Sequence, residues 1–136
     1  MGGASSEREI SLKSGKAVFE ALREAGVDAL TLDIRSENQN EIARLLEPLK
    51  IDCAFLALHG RFGEDGQIQR LLEKMGIPYT GSGVKASELA MDKAASRSIF
   101  ASHGLAVPKY KVLDKASCSE RYELNGSLSV PLVVKP

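Results

Sequence analysis

Four side chains along this 136-residue chain have the chemistry to hold a charged small molecule. His59 follows the apolar run CAFLAL and opens the glycine-rich stretch HGRFGEDG. Glu7 lies in the opening stretch MGGASSEREIS, where a desolvated carboxylate can bind a ligand ammonium group strongly. Lys93 follows MD, Lys135 follows VV, and lysine binds phosphate as a point charge. These residue types could therefore provide an ammonium site at Glu7 and phosphate sites at the two lysines.

Each of these side chains also has an ordinary structural explanation. Glutamates and lysines are usually solvated surface charges, which would account for Glu7, Lys93 and Lys135. His59 could be an incidental histidine of a flexible glycine-rich loop. The neighbouring Glu9 fits, with Ser6, the capping box S-x-x-E at the start of a helix. Spacing alone leaves both interpretations of the four residues open.

Composition narrows the class of protein. Hydrophobic residues make up 43% of the chain and charged residues 26%, which is typical of a globular domain, and the formal net charge is +0. A neutral chain with no tryptophan and 5% aromatic residues favours neither a nucleic-acid nor a membrane partner. Cys53 and Cys118 form no disulfide or metal pattern, and Cys53 is expected to be a buried thiol. No secretory or membrane-spanning apolar run is visible, which predicts a cytoplasmic protein.

Apolar spacing defines the elements that must position these residues. The helical repeat i, i+3, i+4, i+7 occurs three times, at 18–25, 42–49 and 68–75. Extended segments alternate with these helices: ALTLDI, CAFLAL and the short IPYT. Such alternation predicts βαβ units and an open parallel sheet. Ligands bind outside the carboxyl ends of parallel strands, and His59 follows one such end.

The composition of the chain changes after TGSG (80–83). A helix rich in alanine and serine is predicted at about 87–102, followed by a strand LAVPKYKVL, a short helix near 118–124 and a strand VPLVVKP. The change predicts two domains, residues 1–86 and residues 87–136.

Four stretches, taken together and in this order, resemble the D-alanine–D-alanine ligases, which are ATP-grasp enzymes. They are GGASSEREISLKSG, LHGRFGEDGQIQRLLEKMGIPYTGSG, MDKAASRSIFASHGLAVPKY and PLVVKP. The resemblance implies an α/β fold: an open parallel-sheet, Rossmann-like pre-ATP-grasp domain, followed by the start of an α+β ATP-grasp domain.

The resemblance also implies an activity and a role for each candidate residue. These ligases phosphorylate the carboxylate of one D-alanine with ATP and Mg²⁺ (or Mn²⁺), and the amine of a second D-alanine attacks the acyl phosphate, which makes a peptidoglycan precursor. Glu7 matches the catalytic glutamate that orients the ammonium group of the first D-alanine, and His59 matches the histidine that lines the same subsite. Lys93 and Lys135 match two lysines that hold ATP phosphates.

The chain differs from the family pattern at both of its ends. The family has a strand before the paired glycines and continues past VVKP with a phosphate loop, a lid, an arginine and the metal ligands. We therefore expect an incomplete chain that holds no metal ligands and is inactive alone, whereas the intact enzyme would be a homodimer. Glu64 and Asp65 are explained as helix-start residues. The second substrate (D-alanine, D-lactate or D-serine) stays open. The alternative is a non-catalytic module that binds a small molecule or a partner through a flavodoxin-like sheet.

Overall fold

The computed structural model describes residues 1–113 and 128–135. It divides into two compact units, Met1–Asp92 and Lys93–Pro136. The first unit contains four α-helices: α1 (Arg8–Glu24), α2 (Gln39–Leu46), α3 (Gln67–Met75) and α4 (Val84–Met91), with a short 3₁₀ helix (Glu47–Leu49) after α2. The second begins with α5 (Lys93–Ser102). The domain boundary expected after residue 86 stays a prediction.

The predicted open parallel sheet is wrong, because the described residues contain no strand. Extended segments meet only at two isolated parallel bridges, one between Gly2 and Ile34 and one between Ala54 and Tyr79. In each bridge, one residue forms hydrogen bonds with the two neighbours of its partner. Around Tyr79, the Ala54 N–H donates to the Pro78 carbonyl at 2.8 Å, and the Ala54 carbonyl accepts from the Thr80 N–H at 3.0 Å. A ladder needs such pairs in succession, and neither bridge continues into one.

The two bridged pairs do not join into one sheet in the described residues, and a cavity lies beside them. This cavity of about 510 Å³ is lined by both predicted strands, including Leu30, Leu32, Phe55 and Leu56, and by the inner face of α1. The segments ALTLDI and CAFLAL thus line one cavity, and no bridge joins them to each other in the described residues. The Rossmann-like sheet, and with it the flavodoxin-like sheet of the alternative, is absent from the described part of the chain.

The helical predictions for the first unit are confirmed by α1, α2 and α3. The buried faces of α2 and α3 form one hydrophobic core with the ends of the extended segments and the loop before α3, whereas α1 buries only Ser11 and Gly15. The core residues are Ile34, Ile42, Leu46, Leu58, Phe62, Ile68, Leu71 and Leu72. Asn38 caps α2, where its side-chain oxygen accepts from the N–H groups of Asn40 and Glu41. Gly76 ends α3 in the left-handed conformation that is common for a glycine after a helix.

Two further expectations are wrong. The single helix predicted at 87–102 is two helices, because Asp92 adopts extended backbone angles (ψ 97°) between them. Cys53 is exposed, not buried, since its segment is bridged on one side only and borders the cavity. Ala57 and Leu58, at the other end of that segment, are buried.

In the second unit, the described residues after α5 form one ring contact and no regular element. The Arg97 guanidinium lies 4.8 Å from the centre of the Tyr110 ring, a cation–π distance. The described residues of the two predicted strands, 105–113 of LAVPKYKVL and 130–135 of VPLVVKP, form no strand. Pro136 and the short helix predicted near 118–124 lie outside the described residues. No helix in the described ranges is long and apolar enough to cross a membrane.

Candidate functional site

Glu7 stands at the start of α1, one position before the first helical residue. It is the N-cap, and no side chain caps the helix there, so the capping box predicted from Ser6 and Glu9 is wrong. The Glu7 backbone N–H instead donates to Ser5 Oγ at 3.2 Å. The Glu7 carboxylate is therefore not used as a cap, and the residue is exposed.

The Glu7 carboxylate lies against the loop that follows the CAFLAL segment. A Cβ atom placed on Gly60 would be 2.9 Å from Glu7 Oε2. Gly60 has φ of +76°, in the left-handed region, and directly follows His59. The structure therefore brings Glu7 and His59 to one place, although they belong to different segments.

The His59 ring lies between a hydroxyl and a carboxylate. Its Nε2 is 2.9 Å from Ser14 Oγ on α1, and its Nδ1 is 3.5 Å from Glu64 Oε1 in the glycine-rich loop. The side chain is 34% exposed, so one edge of the ring remains accessible to a ligand. Neither contact partner was identified as functional from the sequence.

Besides Ser14, two serines bond to the segment that carries His59: Ser5, which precedes α1, and Ser11, which lies on it. Ser5 Oγ donates to the His59 carbonyl at 2.9 Å, and Ser11 Oγ donates to the Ala57 carbonyl at 2.5 Å. Ser11 is completely buried and also accepts the N–H of Gly2 at 2.8 Å. A signal for this arrangement was present, because residues 7, 11 and 14 follow the i, i+4, i+7 spacing of one helix face.

The glycine-rich loop is held closely against the end of that segment. A Cβ on Gly63 would lie 2.6 Å from Leu58 Cβ, so only glycine allows this approach. Gln69 on α3 donates to the Gly63 carbonyl at 2.8 Å. Partial burial acts to raise the pKa of Asp65, but hydrogen bonds from Gln67 and from the Phe62 N–H outweigh it and lower that pKa.

Arg8 fixes the opposite side of the site. Its guanidinium donates to the carbonyls of Gly3 and Ile34, both at 3.2 Å, and pairs with Asp33 at 2.8 Å. Arg35 also reaches Asp33, at 2.9 Å. The hydrogen bond from Arg8 is the main cause that lowers the pKa of Asp33. Arg8 is thus engaged within the protein and holds the glycine bend in place.

The described residues show no contact of Lys93 or Lys135 with Glu7 or His59. Lys93 is the first residue of α5 and Lys135 lies near the end of the chain, both exposed and both in the second unit. Their predicted contact with phosphate stays a prediction. In residues 1–113 and 128–135, no group of three or more His, Cys, Asp or Glu side chains is placed to hold a metal ion.

Comparison with known proteins gives one consistent result. The family model for the D-ala D-ala ligase N-terminus matches residues 33–82. The D-alanine–D-alanine ligase of an Anaeromyxobacter species is 51% identical over 135 residues, which cover 99% of this chain and 42% of that protein. D-alanine–D-alanine ligase B of Pseudomonas putida is 50% identical, over 99% of this chain and 41% of that protein. The chain thus spans about two-fifths of the length of these relatives.

Solved structures agree with the sequence relatives. The D-alanine–D-alanine ligase of Bacillus anthracis, in complex with ATP, superposes with a TM-score of 0.76 at 32% identity, covering 93% of this chain and 41% of that one. The VanG D-Ala:D-Ser ligase of Enterococcus faecalis gives a TM-score of 0.66 at 30% identity, covering 80% and 42%. The resemblance predicted from the sequence motifs is confirmed: nearly the whole chain is similar to a part of the D-alanine–D-alanine ligases that makes up about two-fifths of their length.

Proposed function

We propose that this chain forms the D-alanine-binding part of an ATP-dependent ligase that joins two D-alanines. The observation that carries the proposal is the contact of the Glu7 carboxylate with Gly60, beside the His59 ring. A carboxylate and an imidazole at one accessible place match the two charged ends of an amino acid. Glu7 would bind the ammonium group by charge-assisted hydrogen bonds, and His59 would donate to the carboxylate.

The proposed reaction explains why the amino acid must be held at both ends. A carboxylate is a poor electrophile, so one of its oxygens first takes the γ-phosphoryl group of ATP, and ADP leaves. The amine of the second D-alanine then attacks the carbonyl carbon, phosphate leaves, and the amine loses a proton as the peptide bond forms. A first substrate fixed by Glu7 presents its carboxylate to the phosphoryl donor in one orientation, which lowers the entropic cost of the first step.

The ATP phosphates and the metal ion would be held by groups other than Glu7 and His59. Lys93 and Lys135 would neutralise ATP phosphates, as the family motifs imply. When bound, Mg²⁺ (or Mn²⁺) would shield the transferring charge, but the described residues provide no set of ligands for it, so no step is assigned to it here. We place the whole enzyme in the cytoplasm as a homodimer that supplies peptidoglycan synthesis.

Titration of the purified chain with D-alanine tests the binding function. We expect measurable heat with D-alanine and little with L-alanine. Glu7→Gln should weaken binding roughly 10-fold, because one charge-assisted hydrogen bond contributes about 1.5 kcal/mol. Glu9→Gln, a change to another exposed glutamate of the same helix start, is the matched control and should bind normally. Equal binding by the Glu7 and Glu9 variants would remove Glu7 from the site.

Catalysis is tested separately from binding. The chain incubated with ATP, Mg²⁺ and D-alanine should release no phosphate, because no metal site is formed by its described residues. Phosphate release at the rate of a working ligase would show that the chain carries the whole activity.

A further inference from the structure

The surroundings of His59 constrain where its proton sits. A neutral imidazole has one N–H and one bare nitrogen, and the partner of one nitrogen decides the state of the other. Here Nδ1 faces Glu64 Oε1 at 3.5 Å, and Nε2 faces Ser14 Oγ at 2.9 Å. These two partners differ in kind, since an ionised carboxylate only accepts, whereas a hydroxyl can donate or accept.

The Glu64 carboxylate favours a proton on Nδ1. A bare nitrogen turned towards Glu64 would set two negative regions against each other, whereas an Nδ1–H is attracted to the carboxylate even at 3.5 Å. With the proton on Nδ1, Nε2 is bare and needs a donor. Ser14 is the donor at hydrogen-bond distance.

The Ser14 hydroxyl has other acceptors nearby, and their chemistry decides between them. Its Oγ is 3.0 Å from the Ile10 carbonyl and 3.2 Å from the Ser11 carbonyl. Both carbonyls lie within α1, where each also accepts a backbone N–H in the regular helical pattern. The bare Nε2 of His59 has no such second donor in α1, so it gains more from the single Ser14 proton.

We propose that Ser14 is a positioning residue that holds neutral His59 as its Nδ1–H tautomer. The N–H that His59 offers then points to the side occupied by Glu64, away from α1. Resting on the proposed function, the carboxylate of D-alanine would compete with Glu64 for this N–H. The contact with Glu64, at 3.5 Å, is long enough for a ligand oxygen to replace it.

Nitrogen NMR of the imidazole rings tests the tautomer directly. The chain has two histidines, so His103→Gln leaves His59 as the only ring signal. In alkaline buffer without D-alanine, we expect a pyrrole-type resonance for Nδ1 and a pyridine-type resonance for Nε2. Ser14→Ala should move the proton towards Nε2, and Ser14→Thr, which keeps a hydroxyl, should retain the wild-type pattern.

Each outcome bears on the proposal. A pyrrole-type Nε2 in the unmodified ring, or the same pattern in the Ser14→Ala variant, would overturn it. The measurement on the unmodified Ser14 protein decides the tautomer even if Ser14→Ala fails to fold. Because this part needs no D-alanine, it can succeed while the binding proposal fails. D-alanine is added last, and a change at Nδ1 with no change at Nε2 is expected if its carboxylate replaces Glu64.

Discussion

Glu7 and Gly60 are in close contact: a Cβ atom on Gly60 would lie 2.9 Å from Glu7 Oε2, so the carboxylate would have to shift to admit it. Gly60 is also in the left-handed region, with φ of +76°. Glycine is therefore favoured at this position by its backbone angle, and any larger residue would also displace the carboxylate. The two effects can be separated by experiment.

Gly60→Ala is expected to displace the Glu7 carboxylate and to abolish D-alanine binding. The left-handed backbone alone should cost about 1–2 kcal/mol of unfolding free energy. Gly76→Ala is the matched control, because Gly76 has φ of +70° and no heavy atom within 4 Å of the added methyl group. Denaturant unfolding should show a similar strain in both variants, whereas calorimetry should show lost binding for Gly60→Ala alone. Retained binding by Gly60→Ala would mean that Glu7 is not confined by this contact.

Ser11→Ala is expected to destabilise the first unit although alanine is the better helix former. Ser11 Oγ is buried between the N–H of Gly2 and the carbonyl of Ala57, and its removal leaves both without their partner. Each buried orphan group costs about 1–3 kcal/mol, whereas the gain in helix propensity is below about 0.7 kcal/mol. The exposed Ser6→Ala serves as control. An unfolding free energy within about 0.5 kcal/mol of the unsubstituted chain would contradict the bridging role of Ser11.

The helices were predictable and the sheet was not, for a physical reason. The bonds of a helix join residues four apart, so the apolar spacing in 18–25, 42–49 and 68–75 carries the information locally. A strand needs a second segment at pairing distance along several residues. CAFLAL has strand composition, yet it bridges Tyr79 at Ala54 alone and borders a cavity on its other side. Composition cannot indicate whether that second partner is present.

The site was half predictable for a similar reason. Glu7 and His59 stood out by residue type and by motif, and the structure places them together. Ser14 and Glu64 were missed because each had a sufficient local explanation, as a helix residue and as a helix-start acid. Their role arises only when α1 packs against the glycine-rich loop, a contact between distant parts of the sequence.

Asp33→Asn is expected to lower the free energy of unfolding at neutral pH. The variant should also lose less of that free energy than the unsubstituted chain when the pH falls. The folded protein holds the Asp33 pKa below the ordinary value of about 3.9, chiefly through the hydrogen bond from Arg8. A lowered carboxyl pKa contributes stability that is complete above the unfolded pKa and is lost as pH falls through the folded pKa. Because both side chains are about one-third exposed, the effect is screened by salt.

Denaturant midpoints between about pH 3 and pH 6 measure this effect. The unsubstituted chain should lose stability more steeply in the acid part of the range than the Asp33→Asn variant. Asp28→Asn, at an exposed position, is the control and should keep the steep slope. Parallel curves for the Asp33→Asn variant and the unsubstituted chain would show that the pair with Arg8 does not stabilise the fold.

Gly15→Ala is expected to destabilise α1, against the usual effect of this change. In an exposed helix interior, alanine is about 1 kcal/mol better than glycine. Gly15 is buried, however, and a Cβ there would lie 2.6 Å from Met1 Cβ, closer than two such carbon atoms can approach. The neighbour is the base of the Met1 side chain and not its flexible end, so backbone must move.

Overpacking of this kind costs about 1–3 kcal/mol, which exceeds the gain in propensity and predicts a net loss of about 1 kcal/mol. Ala17→Gly, the reverse change at an exposed position two residues further along α1, measures the propensity alone and should cost about 1 kcal/mol. Denaturant unfolding of both variants gives the two values. If Gly15→Ala raised the unfolding free energy by as much as Ala17→Gly lowers it, Met1 could not be packed against Gly15 in solution, and the position of the glycine bend beside α1 would have to be revised.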